Sequence, residues 1–177
     1  MTFYSDRMRR ALRFAEREHR GSVRKGTKVP YIVHPVAVAA LLAAAGAPEP
    51  VIVAGYLHDV AEDEDVTLDE IEAAFGADVR ALVEAVTEVK QDARSGEDRP
   101  WSERKREVLA HLSDAPTEVL WLKAADVSVN VGDLIADHER IGPQVWARFN
   151  GRREEQLEYY ARLMDVLAEG DLLPLLR

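Results

Sequence analysis

The sequence predicts an all-α fold. Apolar residues recur at helical spacing along nearly all of the chain, caps, prolines and glycines punctuate those runs as helix starts and stops, and no second strand is in sight to pair with the one ambiguous apolar segment. At 177 residues the chain is most simply one domain, residues 1–177, with room for a proper core. Hydrophobic residues at 47% and charged residues at 31% are an ordinary globular balance.

In order, Ser5 or Asp6 can cap a first helix reaching about His19, with Met8, Ala11, Leu12 and Ala15 on one face. Residues 21–33 read as a loop with a short extended end, made locally basic by Arg24, Lys25 and Lys28. His34-Pro35 opens a second helix, proline being tolerated in the first turn, and residues 36–45 are apolar all round, which predicts full burial. Pro50 starts a third helix that runs into residues 55–65. Thr67 and Glu70 form a capping box for a short helix ending at Phe75-Gly76. A helix over residues 78–89 follows, then a polar gap at 90–100 that reads as a mobile loop, then a helix capped by Ser102. The apolar run after Pro116 is assigned as helix, and a last helix covers about 151–168. No internal repeat is visible.

Composition excludes several function classes. A net charge of −9 argues against a surface for nucleic-acid polymers, though a local basic cluster can still hold a small phosphorylated ligand. With no cysteine, disulfides and thiolate zinc sites are ruled out, so any metal must take His and carboxylate ligands. The N-terminus has no apolar leader and no run approaches membrane-spanning length, so a cytoplasmic protein without membrane partners is expected.

The stretch at 55–65 carries the chemistry. On a helix, Glu62 is i+4 from His58 and i+3 from Asp59, while Asp63 is i+4 from Asp59, so the four side chains share one broad face. Three carboxylates there repel one another unless a cation lies between them; the competing reading is a solvated acidic helix end. A histidine such as His34 at the mouth of a buried helix is more often structural than a ligand. Asp126, just after Ala124-Ala125, is costly in apolar surroundings unless paired, hydrogen-bonded or bound to metal.

Taken together, Arg24-Lys25, Pro30-Tyr31-Ile32-x-His34-Pro35, Leu57-His58-Asp59-x-x-Glu62-Asp63, Phe75-Gly76 and Leu122-Lys123-Ala124-Ala125-Asp126-x-x-x-Asn130 resemble, in order and spacing, the HD-domain hydrolases of the RelA/SpoT type. Over about residues 3–168 the likeness is greatest to the stand-alone small alarmone hydrolases of the metazoan SpoT homologue type, strengthened by the 103–106 run and Asp133-Leu134.

The resemblance implies a compact HD-domain bundle of about eight to ten helices and a Mn²⁺-dependent hydrolase, Zn²⁺ or Fe²⁺ being substitutes, that removes the 3′-pyrophosphate from ppGpp and pppGpp. Carried over, the metal ligands are His34, His58, Asp59 and Asp126, and Glu62 with Asp63 orient and activate the attacking water. Arg24 and Lys25 contact base and phosphates, and Asn130 contacts the sugar. Lys105 and Arg152, with Arg104, are further candidates for phosphate contact, a solvated helix face being the competing explanation. The chain departs from the family pattern at Val127, Val129 and Gly132, on the substrate side of the site. Two other functions fit the same residues: a phosphatase on NADPH or another nucleotide, and a non-catalytic nucleotide-sensing module.

Overall fold

In the computed structural model, which describes residues 4–63, 66–92 and 94–168, the chain is built of helices. They are α1 (Asp6–Glu18), α2 (Val33–Ala44), α3 (Glu49–Leu57), α4 (Val60–Asp63), α5 (Leu68–Phe75), α6 (Ala77–Val86), α7 (Trp101–Leu112), α8 (Thr117–Ile141) and α9 (Arg153–Ala168), with a 3₁₀ segment, Gly142–Arg148, before the last. Among the described residues the only β pairing is two isolated antiparallel bridges, Val23 with Pro30 and Gln91 with Asp98. The all-α expectation holds.

Helix α3 is the hub, packing against α1, α2, α6 and α8. Its residues Val51, Ile52, Val53, Ala54, Gly55 and Leu57 are all buried, which is why it is apolar on every side. Gly55 lets α2 come close: a Cβ there would lie 2.8 Å from Leu42 Cδ1 and 3.3 Å from the Ala39 Cα. The core is continuous from Met8 of α1 to Leu167 of α9, each residue buried contributing roughly 25 cal/mol per Å² of apolar surface removed from water. The caps form as expected. Ser5 accepts from the Met8 amide at 3.2 Å, and Thr67 and Glu70 close a reciprocal box.

Five local expectations are corrected. Helix α2 begins at Val33, and one side of it faces solvent, Val33 and Val36 being exposed; burial of one flank suffices because α3 and α8 cover only that flank. The 55–65 stretch is not one helix: α3 ends at Leu57, and His58 and Asp59 form the turn before α4. Helix α6 stops at Val86 rather than near 89, with Thr87 extended. Pro100, not Ser102, precedes α7, and Trp101 as its first residue meets Gly151 and the Tyr159 ring. The 90–100 segment holds the Gln91–Asp98 bridge and a turn in which Asp92 Oδ1 accepts from the amides of Arg94 and Ser95, each at 2.9 Å.

Helix α8 is far longer than the apolar run that announced it, at 25 residues. Asp126, Asn130, Asp133 and Asp137 recur along it at spacings of four, three and four, which places them on one stripe. No described helix is long and apolar enough to cross a membrane.

Candidate active site

Four elements bring the site together. The start of α2 carries His34, the α3–α4 turn carries His58 and Asp59, α4 carries Glu62, and the middle of α8 carries Asp126. His34 and His58 are 2% and 4% exposed, and Asp126 is 8% exposed. The two Nε2 atoms face each other at 3.2 Å. Asp126 Oδ1 lies 3.2 Å from His34 Nε2 and 3.7 Å from His58 Nε2. Asp59 closes the group, with Oδ1 at 3.2 Å from His58 and Oδ2 at 3.5 Å from His34.

Such a group fits a divalent metal. Ligand atoms of His34, His58 and Asp126 all lie within 4.8 Å of one another. Donors at about 2.1 Å from one ion stand roughly 3.0 to 3.5 Å apart on octahedral or tetrahedral edges, and the separations here are 3.2 to 3.5 Å except for His58 with Asp126 at 3.7 Å. His58 Nδ1 sits 3.0 Å from the Gly55 carbonyl, so in the neutral ring a proton on Nδ1 donates to that carbonyl and leaves the Nε2 lone pair for the centre.

A second layer of polar contacts holds the carboxylates. The Tyr31 hydroxyl donates to Asp59 Oδ2 at 2.8 Å. Lys123 Nζ donates to Asp126 Oδ2 at 2.9 Å, and Asn130 Nδ2 donates to Asp126 Oδ1 at 2.6 Å. Asn130 Oδ1 then accepts from Arg24 at 2.7 Å, and Arg24 also reaches Asp133 at 3.1 Å. The Arg24 guanidinium lies 5.5 Å from the centre of the Tyr31 ring. Asn130 therefore bridges the centre to the basic loop.

Charge distribution follows from this packing. Burial alone would lower the His58 pKa, but Asp59 and Asp126 beside it raise it to about 9. Burial pushes the Asp126 carboxyl up, yet Lys123 and the two imidazoles hold it well below the usual carboxylate range. Burial opposes the charge on Lys123, and Asp126 outweighs it, so Lys123 stays protonated. Burial and the nearby Asp59 push Glu62 upward, opposed by Lys90. With protons on His58 and Lys123 the two aspartates are balanced, and a metal cation that displaced the His58 proton would meet both carboxylates and both imidazoles.

The centre opens into a polar cleft of about 190 Å³, lined among others by Arg24, Glu62, Glu88, Lys105 and Asn130. The cleft continues into a cavity of about 520 Å³ that adds Lys25, Trp101, Arg148 and Phe149, with Tyr159 and Tyr160 shared. Of the residues singled out in the sequence, His34, His58, Asp59, Glu62, Arg24, Lys105, Asn130 and Asp126 meet in the cleft, and Lys25 lines the adjoining cavity. The Asp63 side chain lies outside the described residues. Arg152 lines neither cavity; it is exposed and bonded to Glu155 at 2.8 Å. Arg104 turns away to Glu88.

Sequence reasoning missed the roles of Lys123, Glu88 and Tyr159. For Lys123 a signal existed, its i−3 position to Asp126 on a helix. For Glu88 none did, because its partners come from α4 and α7.

The HD domain family model matches residues 11–155. The chain is 38% identical over 157 residues to guanosine-3′,5′-bis(diphosphate) 3′-pyrophosphohydrolase MESH1 of Homo sapiens, covering 87% of this chain and 80% of that one. It is 33% identical over 160 residues to guanosine-3′,5′-bis(diphosphate) 3′-pyrophosphohydrolase of Aquifex aeolicus, covering 90% of this chain but 21% of that longer protein. Among solved structures, a metazoan ortholog of SpoT that hydrolyzes ppGpp superposes with a TM-score of 0.77 at 27% identity, over 99% of this chain and 93% of that one. The lmo0812 protein of Listeria monocytogenes superposes with a TM-score of 0.69 at 32% identity, over 78% and 85% of the two chains.

Proposed function

The chain belongs to the HD-domain family, and we propose that it is a metal-dependent hydrolase removing the 3′-pyrophosphate from ppGpp and pppGpp. The observation that carries this reading is the convergence of His34, His58, Asp59 and Asp126 beside the Glu62 carboxylate, at the floor of a cleft walled by Arg24, Lys105 and Asn130. Relatives matched over most of their length carry that activity in their names, which supports the same substrate class.

His34, His58, Asp59 and Asp126 would hold the ion, and two imidazoles with two carboxylates suit Mn²⁺, with Zn²⁺ or Fe²⁺ as substitutes, better than Mg²⁺. When bound, such an ion lowers the pKa of water and neutralises charge growing on the phosphoryl oxygens. Water oxygen bonds to the phosphorus attached to the 3′ oxygen, and the bond from that phosphorus to the 3′ oxygen breaks, giving GDP or GTP and pyrophosphate. Glu62 takes the proton from the attacking water, and the departing 3′ oxygen takes up a proton to become the hydroxyl of the product. Its burial and its neighbour Asp59 raise its basicity towards the working range. Asp63 is the second proposed acid of the pair. Arg24 and Lys105 pair with the phosphates, Lys25 reaches them or the base from the adjoining cavity, and Asn130 contacts the sugar. A cytoplasmic location fits a nucleotide substrate of this kind.

A turnover screen with Mn²⁺ across ppGpp, pppGpp, NADPH and simple nucleotides tests the reading. Release of pyrophosphate from the first two with high preference is expected. Preferential release of inorganic phosphate from NADPH would replace the substrate and keep the centre. Binding of ppGpp without turnover of any compound would make the protein a sensor.

A further inference from the structure

The short extended segment at 87–89 breaks α6 for a reason visible in its contacts. The Glu88 amide donates to Glu62 Oε2 at 3.2 Å. The Glu88 side chain, 6% exposed, then turns inward, where Lys105 donates to one carboxylate oxygen and Arg104 donates to the other at 2.9 Å. Lys105 is thereby held against the Tyr159 ring, 5.1 Å from its centre, in the wall of the cleft. A buried acid beside an anion-binding site would repel its ligand if it stood alone. Here Arg104 from behind and Lys105 from the cleft side surround it, so the acid is neutralised where it meets the cleft.

Building on the proposed hydrolase function, we infer that Glu88 is a positioning residue for that reaction. Its carboxylate fixes the Lys105 ammonium where the pyrophosphoryl group under attack must sit, and its amide holds the proton acceptor Glu62. One residue thus sets the distance between the group that takes the proton and the group that meets the phosphate. A free lysine side chain has many rotamers and loses entropy when ordered, so anchoring Lys105 beforehand lowers the cost of binding.

The test is a double-mutant cycle of Glu88→Gln and Lys105→Ala. Glu88→Gln keeps the amide and the shape but removes the charge. It should lower kcat/KM for ppGpp roughly ten- to a hundredfold, mostly through KM, with metal content unchanged. Added to Lys105→Ala it should cost nothing further, because both changes remove the same interaction. Losses that multiply in the double variant would overturn the inference, since Glu88 would then act apart from Lys105. If Glu88→Gln fails to fold, Glu88→Asp enters the same cycle, and the same multiplying losses overturn the inference.

A second measurement needs no turnover. Burial pushes Lys105 below the ordinary lysine range and Glu88 works against that, while Lys123, Glu62 and Tyr159 also face it. The NMR titration of Lys105 should therefore move to lower pH in Glu88→Gln. An unmoved titration overturns the inference. A moved titration in a protein that hydrolyses no 3′-pyrophosphate leaves the anchoring of Lys105 supported and removes the proposed substrate instead.

Discussion

The Tyr31 hydroxyl donates to Asp59 Oδ2 at 2.8 Å, joining the loop before α2 to the turn after α3 across 28 residues of sequence. The bond orients a carboxylate that would otherwise swing away from the two imidazoles. Tyr31→Phe removes the hydroxyl and leaves the ring packing. Metal affinity should fall on the order of 10- to 100-fold while the far-ultraviolet spectrum stays unchanged. Metal titration by competition with a chelating dye measures it. Unaltered affinity would mean that the Asp59 orientation is set by the backbone turn alone.

The metal-free protein should lose stability on moving from neutral to alkaline pH. His58 has a folded pKa raised to about 9 from an ordinary 6.5. The native state therefore holds a proton that the unfolded chain releases earlier. The stabilisation is complete below about pH 6.5 and vanishes as pH rises through about 9. Metal reverses the sign, because the ligand must give up that proton, so affinity rises over the same window. Thermal unfolding of chelator-treated and Mn²⁺-loaded protein from pH 6 to 9.5 should give curves that diverge. Parallel curves would remove His58 from the centre.

Close approach of α2 and α3 at Gly55 sets how near His34 and His58 can come. An added methyl gains about 1 kcal/mol of helix propensity but must displace Leu42 and the Ala39 backbone, at roughly 1–3 kcal/mol. Gly55→Ala should therefore weaken metal binding at least tenfold, even if the melting temperature of the metal-free protein changes little. Wild-type affinity in this variant would show that the two helices can separate without moving the imidazoles.

Glu62→Gln keeps size and the Glu88 amide contact but deletes the base. Metal content and ppGpp binding should persist, and kcat should drop roughly 10²- to 10⁴-fold. Calorimetry paired with initial rates decides it. Near-normal turnover would pass the role of base to Asp63 or to a substrate phosphate.

The gathering of His34, His58, Asp59, Glu62 and Asp126 was legible through the ordered motifs that resemble the HD-domain hydrolases, since the residues alone left His34 readable as structural and the acids as a solvated helix end. The capping box at Thr67 and Glu70 was legible from its own spacing, being closed by residues three apart. What could not be read was anything fixed by a distant partner. Thr87 sits after a run with good helical spacing yet is extended, and the contacts of the segment after it are with distant partners, Glu88 with Glu62, Arg104 and Lys105 and Lys90 with Glu62. Arg152 misled for the opposite reason: its partner Glu155, three residues on, was in plain view and leaves it on the surface.

The stripe on α8 works as a ruler with both ends engaged. At 1.5 Å per residue, Asp126 and Asp137 stand about 16 Å apart, the first in the metal-binding group and the second holding Arg148 at 2.5 Å in the wall of the far cavity. Between them Asn130 and Asp133 both grip Arg24. Asp133 and Asp137, which lie outside the metal-binding group, can be substituted as long as the helix keeps its phase. A single inserted or deleted residue between Asp126 and Asp137 would turn everything beyond it by about 100° and break the contacts that tie the Arg24 loop to the helix. Descendants of this chain can therefore accept substitutions along α8 beyond Asp126 more readily than any change in its length.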